Sequence, residues 1–77
     1  MLTGVMYMTN EEYGELLRSI RKTAGLTQKE VGMACGYDEI NADRMVRGWE
    51  AGKSLPTLMR LRALAKALHC SLDKIIP

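Results

Sequence analysis

Residues that hold metals or cross-link a chain are scarce in this sequence. Its 77 residues include two cysteines and one histidine. Cys35 and Cys70 lie far apart and form no Cys-x-x-Cys pair. His69, beside Cys70, has no second paired ligand, whereas a structural zinc site takes about four. No metal site and no cofactor is expected. With no secretory signal pattern in view, both cysteines read as reduced core residues of a cytoplasmic protein. Long apolar runs are missing too: none approaches the roughly 20 residues that span a bilayer, so no membrane-crossing helix is expected. Excess charge of either sign is small, because 11 Lys and Arg against 9 Asp and Glu leave +2. So small an excess identifies no polyanion by itself, although the bases concentrate from Arg44 onward while acids gather early, at Glu11, Glu12 and Glu15. Sustained period-two alternation, the mark of strands, does not occur. Nothing resembles a nucleophile beside its base or a phosphate-binding loop, and the early glutamates suit a helix start, so an enzyme is not expected.

What the chain does have is helical punctuation. With 47% hydrophobic and 26% charged residues, the composition is that of a globular protein. A chain this short forms a single domain whose core is only just sufficient. Residues 1–8 carry Leu2, Val5, Met6, Tyr7 and Met8 without helical period and read as a tail, a short strand or a dimer contact, with the domain proper at 9–77. Thr9 and Glu12 have capping-box spacing and open a first helix to about Thr23 with a stripe of Tyr13, Leu16, Leu17, Ile20 and Ala24, closed by Gly25. Thr27 and Glu30 repeat the signal and open a short helix presenting Val31, Ala34 and Cys35, ended by Gly36. A third stretch, Asn41 to Ala51, puts Ala42, Met45, Val46 and Trp49 on one face and Asp43, Arg44 and Arg47 on the other, before Gly52. Thr57 caps a fourth helix with the stripe Leu58, Leu61, Leu64, Ala65 and Leu68. Ser71 caps a last turn with Leu72, Ile75 and Ile76. The expected fold is all-α, a compact five-helix bundle.

The second and third helices, joined by a glycine-containing turn, have the shape of a helix-turn-helix unit. The strings GLTQKEVGMACG and VRGWEAGKSLPTLMRLRALAKALHCSLDKII resemble the helix-turn-helix domain family of phage Cro and repressor proteins, over about residues 11 to 76. Matching positions are Gly25, Leu26, Thr27, Gln28, Val31 and Ala34, then Trp49, Glu50 and Gly52, then Pro56 and the LAKAL run. One departure is a stretch about four residues longer than the commonest spacing between Gly36 and Trp49, roughly one helical turn. The resemblance implies a lambda-repressor-like bundle that binds double-stranded DNA, with no catalytic role.

On that fold the chemistry can be placed. The start of the second helix, at Thr27 and Gln28, offers backbone amides suited to a phosphate; the Gln28 amide and the Lys29 cation add to it. Such contacts set register without reading sequence. Arg44 and Arg47, three residues apart on the outer face of the third helix, can reach base edges in the major groove, where a guanidinium fork fits O6 and N7 of guanine. Asn41 suits adenine and Asp43 suits cytosine, while Lys53, beyond the helix, suits phosphate. The resemblance further implies a structural pair, Arg21 with Glu50, holding the first helix against the third.

Blander roles compete for several of these residues. Trp49 invites a stacking role, but its spacing from Val46 and Ala42 places it in the core. Arg44 and Arg47 alone would read as a solvated face; the unit around them favours the groove. The expected function is therefore that of a sequence-specific transcriptional regulator of repressor type, a homodimer on an inverted repeat. The alternative is a protein-interaction module such as an antitoxin, its DNA binding secondary to a protein partner. Within the extra stretch, Tyr37 to Ile40 are expected to form a lengthened turn, Ile40 packing inward, Asp38 and Glu39 facing solvent, and the third helix starting near Asn41.

Overall fold

The computed structural model describes residues 7–77. The stretch expected as a tail lies, over residues 1–6, outside the described residues. Four α-helices follow in order: α1 (Asn10–Thr23), α2 (Gln28–Ala34), α3 (Ala42–Glu50) and α4 (Leu58–Ala67). No strand occurs among the described residues.

Three of the four helices begin as their sequence signals require. At α1 the Thr9 hydroxyl accepts from the Glu12 amide at 3.1 Å while the Glu12 carboxylate accepts from the Thr9 amide at 2.9 Å. The reciprocal pair recurs at α2, with Thr27 and Glu30 bonded at 3.0 and 2.8 Å. At α4 the Thr57 hydroxyl accepts from the Arg60 amide. Each box satisfies two amides that the helix ladder leaves free. All four helices close in the same way. The second residue past each C-cap bonds back five positions, as in Leu26 to Arg21, Tyr37 to Gly32, Lys53 to Gly48 and Cys70 to Ala65. The residue between is left-handed: Gly25, Gly36 and Gly52 at three ends, and His69 at the fourth, with φ +54°.

The expected fifth helix is instead a three-residue 3-10 turn, Leu72–Lys74. Ser71 makes no capping bond there, and a segment this short cannot recover the cost of helix nucleation. Its Ile75 nevertheless packs fully into the core, and the Tyr13 hydroxyl donates to the Ile75 carbonyl.

Trp49 sits at the centre of this core, 1% exposed, among Tyr13, Leu17, Val31, Val46, Leu61 and Leu64. The core reading of Trp49 therefore holds, and truncating a buried aromatic costs about 3 to 5 kcal/mol. Two glycines let α1 and α2 close on α3. A Cβ on Gly14 would lie 2.7 Å from the Trp49 carbonyl oxygen, and one on Gly32 would lie 2.6 Å from the Ala42 Cα. Both separations are closer than carbon and oxygen tolerate, so α3 is held on two sides by backbone contact.

Some stripe residues fall outside the core. Ala24 and Ala34 are exposed because they stand at the last turns of α1 and α2, where the chain departs from its neighbours. Leu58, the first residue of α4, and Ile76, beyond the final turn, are also exposed. Cys35 is buried as expected, whereas Cys70 is only half-buried.

Candidate nucleic-acid interface

The face in question is built on α3, with the start of α2 beside it. Between them runs the lengthened turn, and Asp38 organises it. Its carboxylate accepts from the Asn41 backbone amide at 2.8 Å and from the Asn41 side-chain amide at 2.9 Å. Its carbonyl accepts from the Ala42 amide at 2.9 Å. Helix α3 accordingly starts at Ala42, next to Asn41 as expected, and Asn41 precedes it without a capping bond of its own. Asp38 and Glu39 are exposed as expected. Ile40 is not inward: it is 86% exposed, because the turn set by Asp38 aims residue 40 away from the core.

Across the turn stands an anchor that no local signal announced. Arg60 of α4 donates to the carbonyl of Cys35, the last residue of α2's cap, at 2.6 Å. Its guanidinium lies 4.1 Å over the Tyr37 ring, which in turn meets the Trp49 ring at 5.9 Å between centroids. One side chain thus satisfies an orphan helix carbonyl and clamps the entry to the turn by cation–π contact.

The Arg21–Glu50 pair is formed. Arg21 Nε and Nη2 donate to the two Glu50 oxygens at 2.6 and 3.0 Å, and Nη1 donates to the Leu26 carbonyl at 2.9 Å. Both side chains are largely enclosed, and the bonds to Glu50 push the Arg21 guanidinium further up. The fork ties α1, the start of α2 and the end of α3 together. Gln28 joins this network, its side-chain amide donating to Glu50 at 3.0 Å.

The remaining expected contact residues stand on or beside α2 and α3, and all but Lys53 have a bonded partner among the described residues. Thr27 is the cap of α2, and its hydroxyl is taken by the Glu30 amide. The bonds from Thr27, backbone first, hold the Glu30 carboxyl below its usual range. Lys29 donates to Glu39 at 2.7 Å, which lowers the Glu39 carboxyl in the same direction. Arg44 is exposed and donates to the Asn41 side-chain oxygen at 2.7 Å. Arg47 is exposed and donates to Asp43 at 2.8 Å. Lys53 is exposed just past α3, and its side chain has no bonded partner among the described residues. Arg44, Arg47, Gly48, Ala51 and Lys53 line a hollow along the C-terminal half of α3.

Helices α2 and α3, with a tight glycine at Gly36 and α1 locked behind by Arg21 and Glu50, form a helix-turn-helix unit. Residues 17–75 match the sequence model of the helix-turn-helix family. The chain belongs to the helix-turn-helix family, in the type of phage Cro and repressor proteins. The match runs from Leu17 through the core contact of Ile75, taking in both helices of the unit and the α4 packed behind them. A type II methyltransferase, M1.ScrFI, of Lactococcus lactis subsp. cremoris is 29% identical over 65 residues. That likeness covers 84% of this chain but 16% of the methyltransferase. No solved structure matches. The helix-turn-helix domain is all-helical in its described residues, none of whose helices is long and apolar enough to cross a membrane.

Proposed function

We propose that this helix-turn-helix protein is a sequence-specific transcriptional regulator of repressor type, which lays α3 in the major groove of double-stranded DNA. The observation that carries the reading is the exposed outer face of α3, with Arg44 and Arg47 side by side and flanking donors at Gln28, Lys29 and Lys53. Arginine forks on a groove helix discriminate guanine, while the flanking donors suit phosphates. A two-fold dimer on an inverted repeat, with half-sites about 34 Å apart, is the arrangement such a small reader needs for useful specificity. The role is binding without catalysis. Burial pushes the Cys35 thiol up to about 11, which suits packing and not nucleophilic attack. The relative's methyl-transfer chemistry is not carried over, since the likeness spans only 16% of that enzyme.

The test is selection of bound duplexes from a random pool, followed by titrations at several salt concentrations. A two-fold consensus with salt-dependent affinity is the expected result. A pool that yields no consensus would remove the sequence-reading claim. A second reading, a protein-interaction module such as an antitoxin, draws on the exposed Leu55, Leu58 and Met59 at the start of α4. It predicts a folded protein with no affinity for duplex DNA even at low salt.

A further inference from the structure

Arg18 belongs to none of the contacts so far assigned, yet it lines a second hollow beside the first. Arg18, Gln28, Arg47, Glu50 and Ala51 surround it, where α1 meets the start of α2 and the end of α3. The two hollows share Arg47 and Ala51, so they form one track along the C-terminal half of α3, from Arg18 at one end to Lys53 at the other. The small residues Gly48 and Ala51 line the track, which lets a strand approach the helix backbone closely.

The charges along this track are unevenly committed. Glu50 brings the one acid, and its two oxygens already accept from Arg21 and Gln28, so its charge is matched within the protein. Arg47 is drawn toward Asp43. Arg18 is exposed and makes no ion pair or side-chain hydrogen bond among the described residues. The hollow is therefore lined by an uncommitted guanidinium and a neutralised carboxylate, a cationic recess and not a balanced one. Its position, on α1 and off the reading helix, removes it from base edges.

We infer that Arg18 is a phosphate contact, seating the DNA backbone in the recess between α1 and α3 and fixing how far α3 turns in the groove. This rests on the DNA-binding reading and deepens it. A phosphate contact adds affinity for every sequence and contributes about 0.9 to the slope of log affinity against log salt.

The experiment compares Arg18→Gln with the parent and with Arg62→Gln, an exposed α4 arginine outside both hollows. Binding to the selected duplex and to a random duplex is titrated across salt, with thermal melts run alongside. Arg18→Gln is expected to melt with the parent, to weaken both duplexes several-fold at low salt, and to flatten the salt slope by about 0.9. Arg62→Gln is expected to track the parent. A parental slope and affinity in Arg18→Gln overturns the inference while leaving the DNA reading standing. A loss confined to the selected sequence also overturns it, since that would make Arg18 a base reader. A parent with no affinity for either duplex overturns the DNA reading and the inference together.

Discussion

Arg47 reaches back one turn of α3 and donates to Asp43 at 2.8 Å, so the side chain proposed to read DNA is held by an acid of its own helix. Both partners are well exposed, at 62% and 42%, and such a pair adds only about 0.3 to 0.5 kcal/mol to stability. Its value is directional. The carboxylate holds the fork along the helix, and under the proposed DNA binding it would also oppose a phosphate, so that a backbone-seeking pose of Arg47 would be penalised. Arg44 is held in a related way by Asn41, itself fixed by Asp38.

Asp43→Ala is therefore expected to bind random duplex more tightly while narrowing the ratio between selected and random duplex. Arg47→Ala is expected to lose about 1 to 3 kcal/mol on the selected duplex alone. Anisotropy titrations of both variants decide it. If Asp43→Ala raises both affinities equally, Asp43 acts only as a negative charge and the orienting role is wrong.

The two acids of the turn separate in their roles. Glu39 holds the Lys29 ammonium at 2.7 Å on the surface, whereas Asp38 bonds the backbone that leads into α3. Glu39→Gln is expected to release Lys29 and tighten binding to all duplexes a few-fold at low salt, an effect that vanishes as the salt concentration rises. Asp38→Ala is expected to lower stability by about 1 kcal/mol through the lost turn bonds. Urea unfolding and salt titrations of each variant separate the effects. Equal melting of Asp38→Ala and the parent would show that the turn is held by something else.

Much of this arrangement was legible because its determinants are local. Thr9 with Glu12 and Thr27 with Glu30 satisfy amides three residues away, so spacing alone announces them. Trp49 was placed by its step from Val46, and the Arg21–Glu50 pair by family resemblance. What escaped is long-range. Gly14 and Gly32 look like weak points in helices, and only the crossing with α3 shows that no Cβ fits there. Arg60 finds the Cys35 carbonyl 25 residues away, a contact with no sequence spacing to betray it. Ile40 failed for the opposite reason: hydrophobicity argued for burial, but the hydrogen bonds of Asp38 decided the direction of the chain.

His69 breaks the pattern of the helix ends. It occupies the left-handed position past α4 with φ +54°, where the other three helices have glycine. A non-glycine residue there costs about 1 kcal/mol or more, partly offset in a glycine variant by the freer unfolded chain. His69→Gly is expected to raise stability by about 0.5 to 1 kcal/mol, seen as a rise of several degrees in Tm for a domain of this size. A lower Tm would mean that the imidazole makes a stabilising contact worth more than the backbone strain.

Tyr13 gives the fold a defined alkaline limit. Its ring is buried, its hydroxyl donates to the Ile75 carbonyl, and burial, with Cys70 adding in the same direction, pushes its phenol from 10.0 up to about 12. Cys35, raised by burial from 9.0 to about 11, acts in the same sense one unit lower. Both groups are held neutral in the folded state, so the stability they contribute is fully present below their unfolded values. It is lost as pH rises through the folded values, because the unfolded chain ionises first. Urea midpoints are therefore expected to stay level up to about pH 9 and then fall in two steps, the first set by Cys35 and the second by Tyr13. Cys35→Ala is expected to remove the first step. Tyr13→Phe is expected to lower stability at neutral pH by about 1 to 3 kcal/mol, since the Ile75 carbonyl loses its donor, and to flatten the decline above pH 10. An undiminished decline above pH 10 in Tyr13→Phe would show that another group, and not the buried phenol, sets the limit.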